Sequence, residues 1–297
     1  MALDGDDRAG RNGSSSRRLR FGLTLTVTVG AVVALGIGVP ALAGAARSGS
    51  GPDEATVSAA AAPGSELPGK ELPDTPVGAQ LGGSWTSLLD ESDALSMLRL
   101  DIPVSARTGD AVPFTVGKAG VLCTGEARIT SHKERYVTVA DAKVTRTTPT
   151  TASPASCRPD AITLEGMDGT VMWRASSKMS IQIDRASGPA STVPAALVGT
   201  WRDGDETVRI AKGRIGDAVV TGTRTDAGRR CTWSATLMDT APFQSDPSTH
   251  PIAVAPALST TPGCKAPYAA YRFHVENGEL VRWTMASSHK DRFTRAG

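Results

Sequence analysis

Short runs in which apolar and polar residues alternate recur from residue 81 onward, each bounded by turn residues. A first set comprises Met97 to Ile102, Val121 to Ile129, Tyr136 to Val139, Ala161 to Leu164, Val171 to Trp173 and Ile181 to Ile183. A second comprises Val208 to Ile210, Ala218 to Val220, Cys231 to Leu237, Ile252 to Val254, Tyr271 to Val275 and Leu280 to Trp283. A period of two marks half-buried strands, and no stretch carries a helical period. Asp168-Gly169 and Asn277-Gly278 signal two-residue hairpins, since both dipeptides favour the turn whose twist suits the flanking strands. Six to eight short antiparallel strands per module predict an all-β fold of two tandem small barrels or sandwiches. Their limits are 81–184 and 197–294, with a linker at 185–196.

The two sets are copies. Leu81-Gly82-Gly83-Ser84-Trp85 returns as Leu197-Val198-Gly199-Thr200-Trp201, and Arg107-Thr108-Gly109-Asp110 returns as Arg214-Ile215-Gly216-Asp217. Each copy then closes on a turn and a tryptophan, Trp173 in the first and Trp283 in the second. Gly109-Asp110 and Gly216-Asp217 read as turns in which Asp caps nearby backbone and Gly supplies positive φ. The chain has four cysteines, Cys123, Cys157, Cys231 and Cys264, at intervals of 34 and 33 residues within the copies. Four cysteines allow three pairings; an independently folding repeat selects Cys123 with Cys157 and Cys231 with Cys264.

The amino end explains why an oxidising compartment suits these bridges. Residues 1–20 form a basic leader with Arg17, Arg18 and Arg20, followed by an uncharged run within 21–43. That run reads either as a signal with a small-residue cleavage site near Pro40-Ala41-Leu42-Ala43 or as a spanning helix with its amino end in the cytoplasm. Either way the membrane is engaged and the remainder is extracytoplasmic, secreted or anchored. Residues 44–80 are rich in Ala, Gly, Ser and Pro and read as a disordered tether.

Gly83-Ser84-Trp85 and Gly199-Thr200-Trp201 resemble the opening of lipocalin-like small β-barrels, in which a tryptophan at the start of the first strand plugs one barrel end. The resemblance extends to Arg174 and Arg282, which stand beside the tryptophans of the closing strands and would stack on an indole face. Leu197 to Trp201, Val208 to Ile210, Gly216-Asp217, Cys231 and Gly278 to Leu280 are also similar to tandem extracytoplasmic domains of actinobacterial secreted proteins and receptor kinases. That resemblance implies a sensory or binding attachment rather than an enzyme.

Charge narrows the partners. Beyond residue 43 the chain carries 27 basic and 27 acidic side chains, interspersed, which disfavours nucleic acid. The histidines His132, His250, His274 and His289 lack metal-ligand spacing, and no nucleophile elbow, phosphate loop or zincin motif is present. No catalytic residue, metal or cofactor is therefore assigned. The leading reading is a non-catalytic binding or sensory protein of the bacterial envelope, holding a small apolar ligand, a wall component or an envelope protein. The alternatives are a structural spacer and, behind it, an extracytoplasmic hydrolase. Trp85, Trp201, Trp173 and Trp283 are read as structural. Trp233, with no counterpart in the first copy, and the excursion from Ala241 to Pro251 are the candidate contact points.

Overall fold

The computed structural model describes residues 67–297 apart from 91–92, 168–169, 176–178, 242–250, 268, 286 and 288. The basic leader, the apolar segment and the tether up to residue 66 lie outside the described residues, as do the Asp168-Gly169 turn and most of the 241–251 excursion. Among the described residues no helix is long and apolar enough to cross a membrane.

The first copy is a closed antiparallel barrel of eight strands: β1 (Gly83–Asp90), β2 (Asp93–Ile102), β3 (Ala111–Lys118), β4 (Val121–Lys133), β5 (Tyr136–Thr148), β6 (Ile162–Met167), β7 (Thr170–Ala175) and β8 (Met179–Ala186). Strand β8 returns to pair with β1, so no edge is left between the first and last strands. The second copy consists of β9 (Gly199–Asp203), β10 (Glu206–Ile210), β11 (Ala218–Asp226), β12 (Arg229–Asp239), β13 (Ile252–Val254), β14 (Leu258–Ser259), β15 (Tyr271–Glu276), β16 (Glu279–Thr284) and β17 (Lys290–Arg295). Here β17 pairs with β9, and β12 pairs with β11 on one side and with β13 and β14 on the other, which curls the sheet back on itself. Strands β13 and β14 together occupy the place of β5. The open choice between barrel and sandwich is thus resolved as barrel.

Register proves the duplication residue by residue. Trp85, Leu100, Phe114 and Gly125 are successive partners across β1 to β4, and Trp201, Val208, Gly222 and Trp233 are successive partners across β9 to β12. A large ring therefore faces a glycine in both barrels, but on opposite strands. Phe114 covers Gly125 in the first, and Trp233 covers Gly222 in the second. The predicted Gly-Asp turns are also superimposable: Asp110 Oδ2 accepts from Arg107 N and Asp217 Oδ2 from Arg214 N, both at 2.9 Å, with Gly109 and Gly216 at positive φ. Asn277 and Gly278 both take positive φ, as the β15–β16 hairpin requires.

The segment that precedes each barrel is structured. Residues 67–80, expected as tether, pack on the first barrel: Leu72 N donates to His132 O, Lys133 Nζ to Leu67 O, and Val77 is buried. The expectation of disorder is corrected there, because Val77 and Leu81 give this stretch an apolar anchor. The 185–196 linker behaves alike. Arg185 and Ala186 belong to β8, and Val193 N donates to Gly213 O just as Val77 N does to Ala106 O.

The two barrels share a buried seam of Met97, Leu122, Met238, Ala253, Ala255 and Ala270. Gly117 faces the Ala255 side chain so closely that a Cβ would collide with it, which is why a side chain is excluded there. Arg99, 1 % exposed, crosses the seam: Nη1 donates to Met238 O and Nη2 to Ser187 O, both at 2.7 Å, while Asp101 neutralises the guanidinium. Asp239 accepts from Ser187 N at 2.8 Å. A buried charge is tolerable only when paired and fully bonded, and Arg99 meets that condition.

Candidate functional site

One end of each barrel is closed by the same device. Trp85 and Trp201 point inward, and their Nε1 atoms donate to Leu81 O at 2.8 Å and Leu197 O at 3.0 Å. Over each ring, with the guanidinium carbon 4.7 Å from its centroid, lies an arginine of the last strand: Arg185 over Trp85 and Arg295 over Trp201. Arg185 also donates to the carbonyls of Ala79 and Gly82, and Arg295 to those of Ala196 and Val198. The glycines of the two Gly-x-Trp elements are explained by this. Both hold positive φ, and a Cβ at Gly83 would strike the Arg185 guanidinium.

The stacking partners expected at Arg174 and Arg282 are corrected by this geometry. Arg174 pairs with Glu165, which also accepts from Tyr136 Oη at 2.9 Å. That bond to the carboxylate raises the Tyr136 phenol above its ordinary range. Arg282 turns into the second barrel, where Glu206 takes two of its nitrogens and Asp291 a third, and Tyr271 and Phe293 flank its plane. Burial raises the Tyr271 phenol.

Trp173 and Trp283 are not equivalent either. Leu164 pairs with Trp173 in β6–β7, whereas its counterpart Phe273 pairs with Arg282 in β15–β16. Arg282 therefore occupies the position of Trp173, and Trp283 that of Arg174. Trp283 lies on the outer wall, half-buried, with Arg272 and Lys290 about its ring at 5.1 and 4.9 Å. Trp233 is 2 % exposed and belongs to the second core rather than the outer surface, and its Nε1, like that of Trp173, is buried with no acceptor. Its apparent lack of a counterpart reflects the exchange with Phe114 across the strand pair.

The same register shows how the interiors differ in the layer next to the plugs. Leu98, Val116 and Trp173 of the first barrel correspond to Glu206, Arg224 and Arg282 of the second. In the second barrel the Arg282 network fills the lumen. In the first the same region is a small cavity lined by Trp85, Ser87, Leu98, Leu164, Trp173 and Ile183, with Thr86, Leu100 and Ile162 also bordering it. Its volume of about 10 Å³ is room for about one water. Trp173 is 3 % exposed, and its Nε1 is buried with no acceptor.

Among the described residues no cluster of His, Cys, Asp and Glu can hold a metal. The buried carboxylates are engaged structurally, Glu165 by Arg174 and Tyr136, and Asp239 by backbone N–H groups of Ser187 and Thr240. The histidines are dispersed: His132 is buried against Thr75 O, His289 bonds Asp291, His274 lies on the outer wall of β15, and His250 is outside the described residues. Both predicted disulfides form, Cys123 with Cys157 and Cys231 with Cys264, and no cysteine is free, consistent with an extracytoplasmic location. Comparison of the chain with protein-family models, with curated proteins and with solved structures finds no match.

Proposed function

We propose that this chain is a non-catalytic binding protein of the bacterial cell envelope, exported or anchored by residues 21–43, whose first lipocalin-like barrel holds a small apolar ligand. One observation carries the reading: the same inner layer is an apolar cavity in the first barrel and an Arg282–Glu206–Asp291 plug in the second. The second barrel fills this region with paired charges, whereas the first leaves a small apolar void there, which is the place a ligand would enter. The Trp–Arg closures of both barrels support the lipocalin-like assignment, and the disulfides support the compartment. The cavity is small, so a ligand of more than a few atoms displaces side chains such as Leu98 or Ile183 on entry.

The buried seam favours a second reading, a rigid two-barrel spacer with no ligand. Titration of the full chain with 2-methylpropene, followed by side-chain methyl resonances, separates the two. Saturable shifts at Leu98, Leu164 and Ile183 with none around Arg282 are expected. No shift in the first barrel, or equal shifts in both, overturns the binding reading.

A further inference from the structure

The cavity of the first barrel has one feature that an apolar ligand alone leaves unexplained. Trp85 Nε1 is spent on Leu81 O, and Ser87 Oγ donates to Leu88 O. Thr86 borders the cavity, but alternation along β1 sends its side chain to the face opposite Trp85, beside Arg99. The Trp173 indole remains. It lines the cavity, is nine-tenths buried or more, and its N–H has no acceptor. Buried donors are nearly always bonded, and leaving one unpaired costs about 1–3 kcal/mol. The second barrel resolved the same position differently, with an arginine whose N–H groups are taken up by carboxylates.

Resting on the binding reading above, we infer that the first barrel selects small uncharged molecules bearing a carbonyl oxygen, as in a ketone, aldehyde or ester, and that Trp173 Nε1 donates to that oxygen. Three constraints define the class. No charged side chain lines the cavity, so an ionised group entering it would be desolvated without a partner. Trp173 Nε1 is the lining's unspent donor, while Ser87 Oγ, its proton given to Leu88 O, keeps only acceptor capacity, so a ligand must bring an acceptor oxygen for the indole, which a carbonyl supplies on an otherwise apolar body. The volume is that of about one water, so only a compact molecule can enter, and it does so by displacing Leu98, Leu164 or Ile183.

Acetone and its isostere 2-methylpropene test this directly, because they differ in little besides the acceptor. In the full chain with labelled indole nitrogens, acetone should move the Trp173 N–H resonance downfield with saturation, and 2-methylpropene should shift the same methyl groups while leaving that resonance in place. Trp173→Phe removes the donor and also enlarges the cavity for both probes, so the readout is their ratio: the preference for acetone over 2-methylpropene should fall about tenfold, the equivalent of one hydrogen bond. Equal binding of the two probes, with no discrimination lost in Trp173→Phe, overturns the carbonyl inference and leaves the apolar-ligand reading standing. Failure of both probes to shift the first-barrel methyls overturns both. A long-lived water at the Trp173 N–H that acetone does not displace marks a hydration site and also overturns the inference. Should Trp173→Phe fail to fold, the two probes on the unmodified chain still decide.

Discussion

Trp233 lies across the strand pair from Gly222 with its indole in the space that a side chain at Gly222 would need, the mirror of Phe114 over Gly125 in the other barrel. Gly222→Ala places a methyl inside the ring and should cost more than the 1–3 kcal/mol usual for overpacking. The double change Gly222→Phe with Trp233→Gly, which imports the first barrel's arrangement, should recover most of that loss. Denaturant unfolding of the three proteins measures it, and a double variant no better than Gly222→Ala would refute the exchange.

Arg185 and Arg295 each combine ring stacking with hydrogen bonds to carbonyls of the segment that enters the barrel. Arg185→Ala should destabilise the first barrel by about 2–3 kcal/mol, and Arg185→Lys should recover little, because the planar fork and its several donors are what the site uses. Full recovery by lysine would reduce the contact to simple charge.

Arg282 is satisfied only while Glu206 and Asp291 remain. Arg282→Met leaves two carboxylates beside each other in a largely buried site and should cost about 3–5 kcal/mol. Glu206→Leu, Arg282→Trp and Asp291→Ile together install the residues at the equivalent first-barrel positions and should return stability to within about 1 kcal/mol of the parent. Thermal unfolding of the single and triple variants checks the difference.

The bridges close loops of 34 and 33 residues. Removing either pair by Cys→Ser should cost about 3–4 kcal/mol by the chain-entropy relation. Urea midpoints with and without reductant should converge for a variant lacking both pairs.

Burial holds the His274 imidazole below its ordinary range, with Lys290, Arg272 and Arg292 acting in the same direction and Glu276 opposing them. The unfolded chain therefore takes up the proton first, so this residue's contribution is complete above the ordinary histidine range and is lost as pH falls through about 6.5 toward the folded value. His274→Gln should flatten stability against pH in that window and leave it unchanged at pH 8. An unaltered slope would show that other groups carry the acid response.

Much of this architecture is legible in the residues themselves, since alternation, the Gly-Asp turns, the Asn277-Gly278 hairpin and the cysteine intervals are local signals. The arginine clasps are not. Arg185 and Arg295 contact tryptophans a whole barrel earlier in the chain, and nothing near them in sequence marks the role. Aligning Trp173 with Trp283 fails for a readable reason: Trp173 follows its turn glycine Gly169 by four residues and Trp283 follows Gly278 by five, which in a strand is a change of face. Once that step is counted, Arg282 falls on the inward row, and with it the divergence of the two interiors. Strand β1 also escapes the pattern, because the entry segment and the seam bury its polar Ser84, Thr86 and Ser87 and blur the alternation; β3, by contrast, alternates through Val112, Phe114 and Val116 and is readable from the residues.

Because each tryptophan plug is clasped by an arginine from the final strand of its own barrel, neither barrel can be sealed until its last strand has been made. A chain synthesised from its amino end gains the clasp of its first barrel only at residue 185, and that of its second only at residue 295. The barrels would thus lock one after the other, the first already shut while the second is still incomplete.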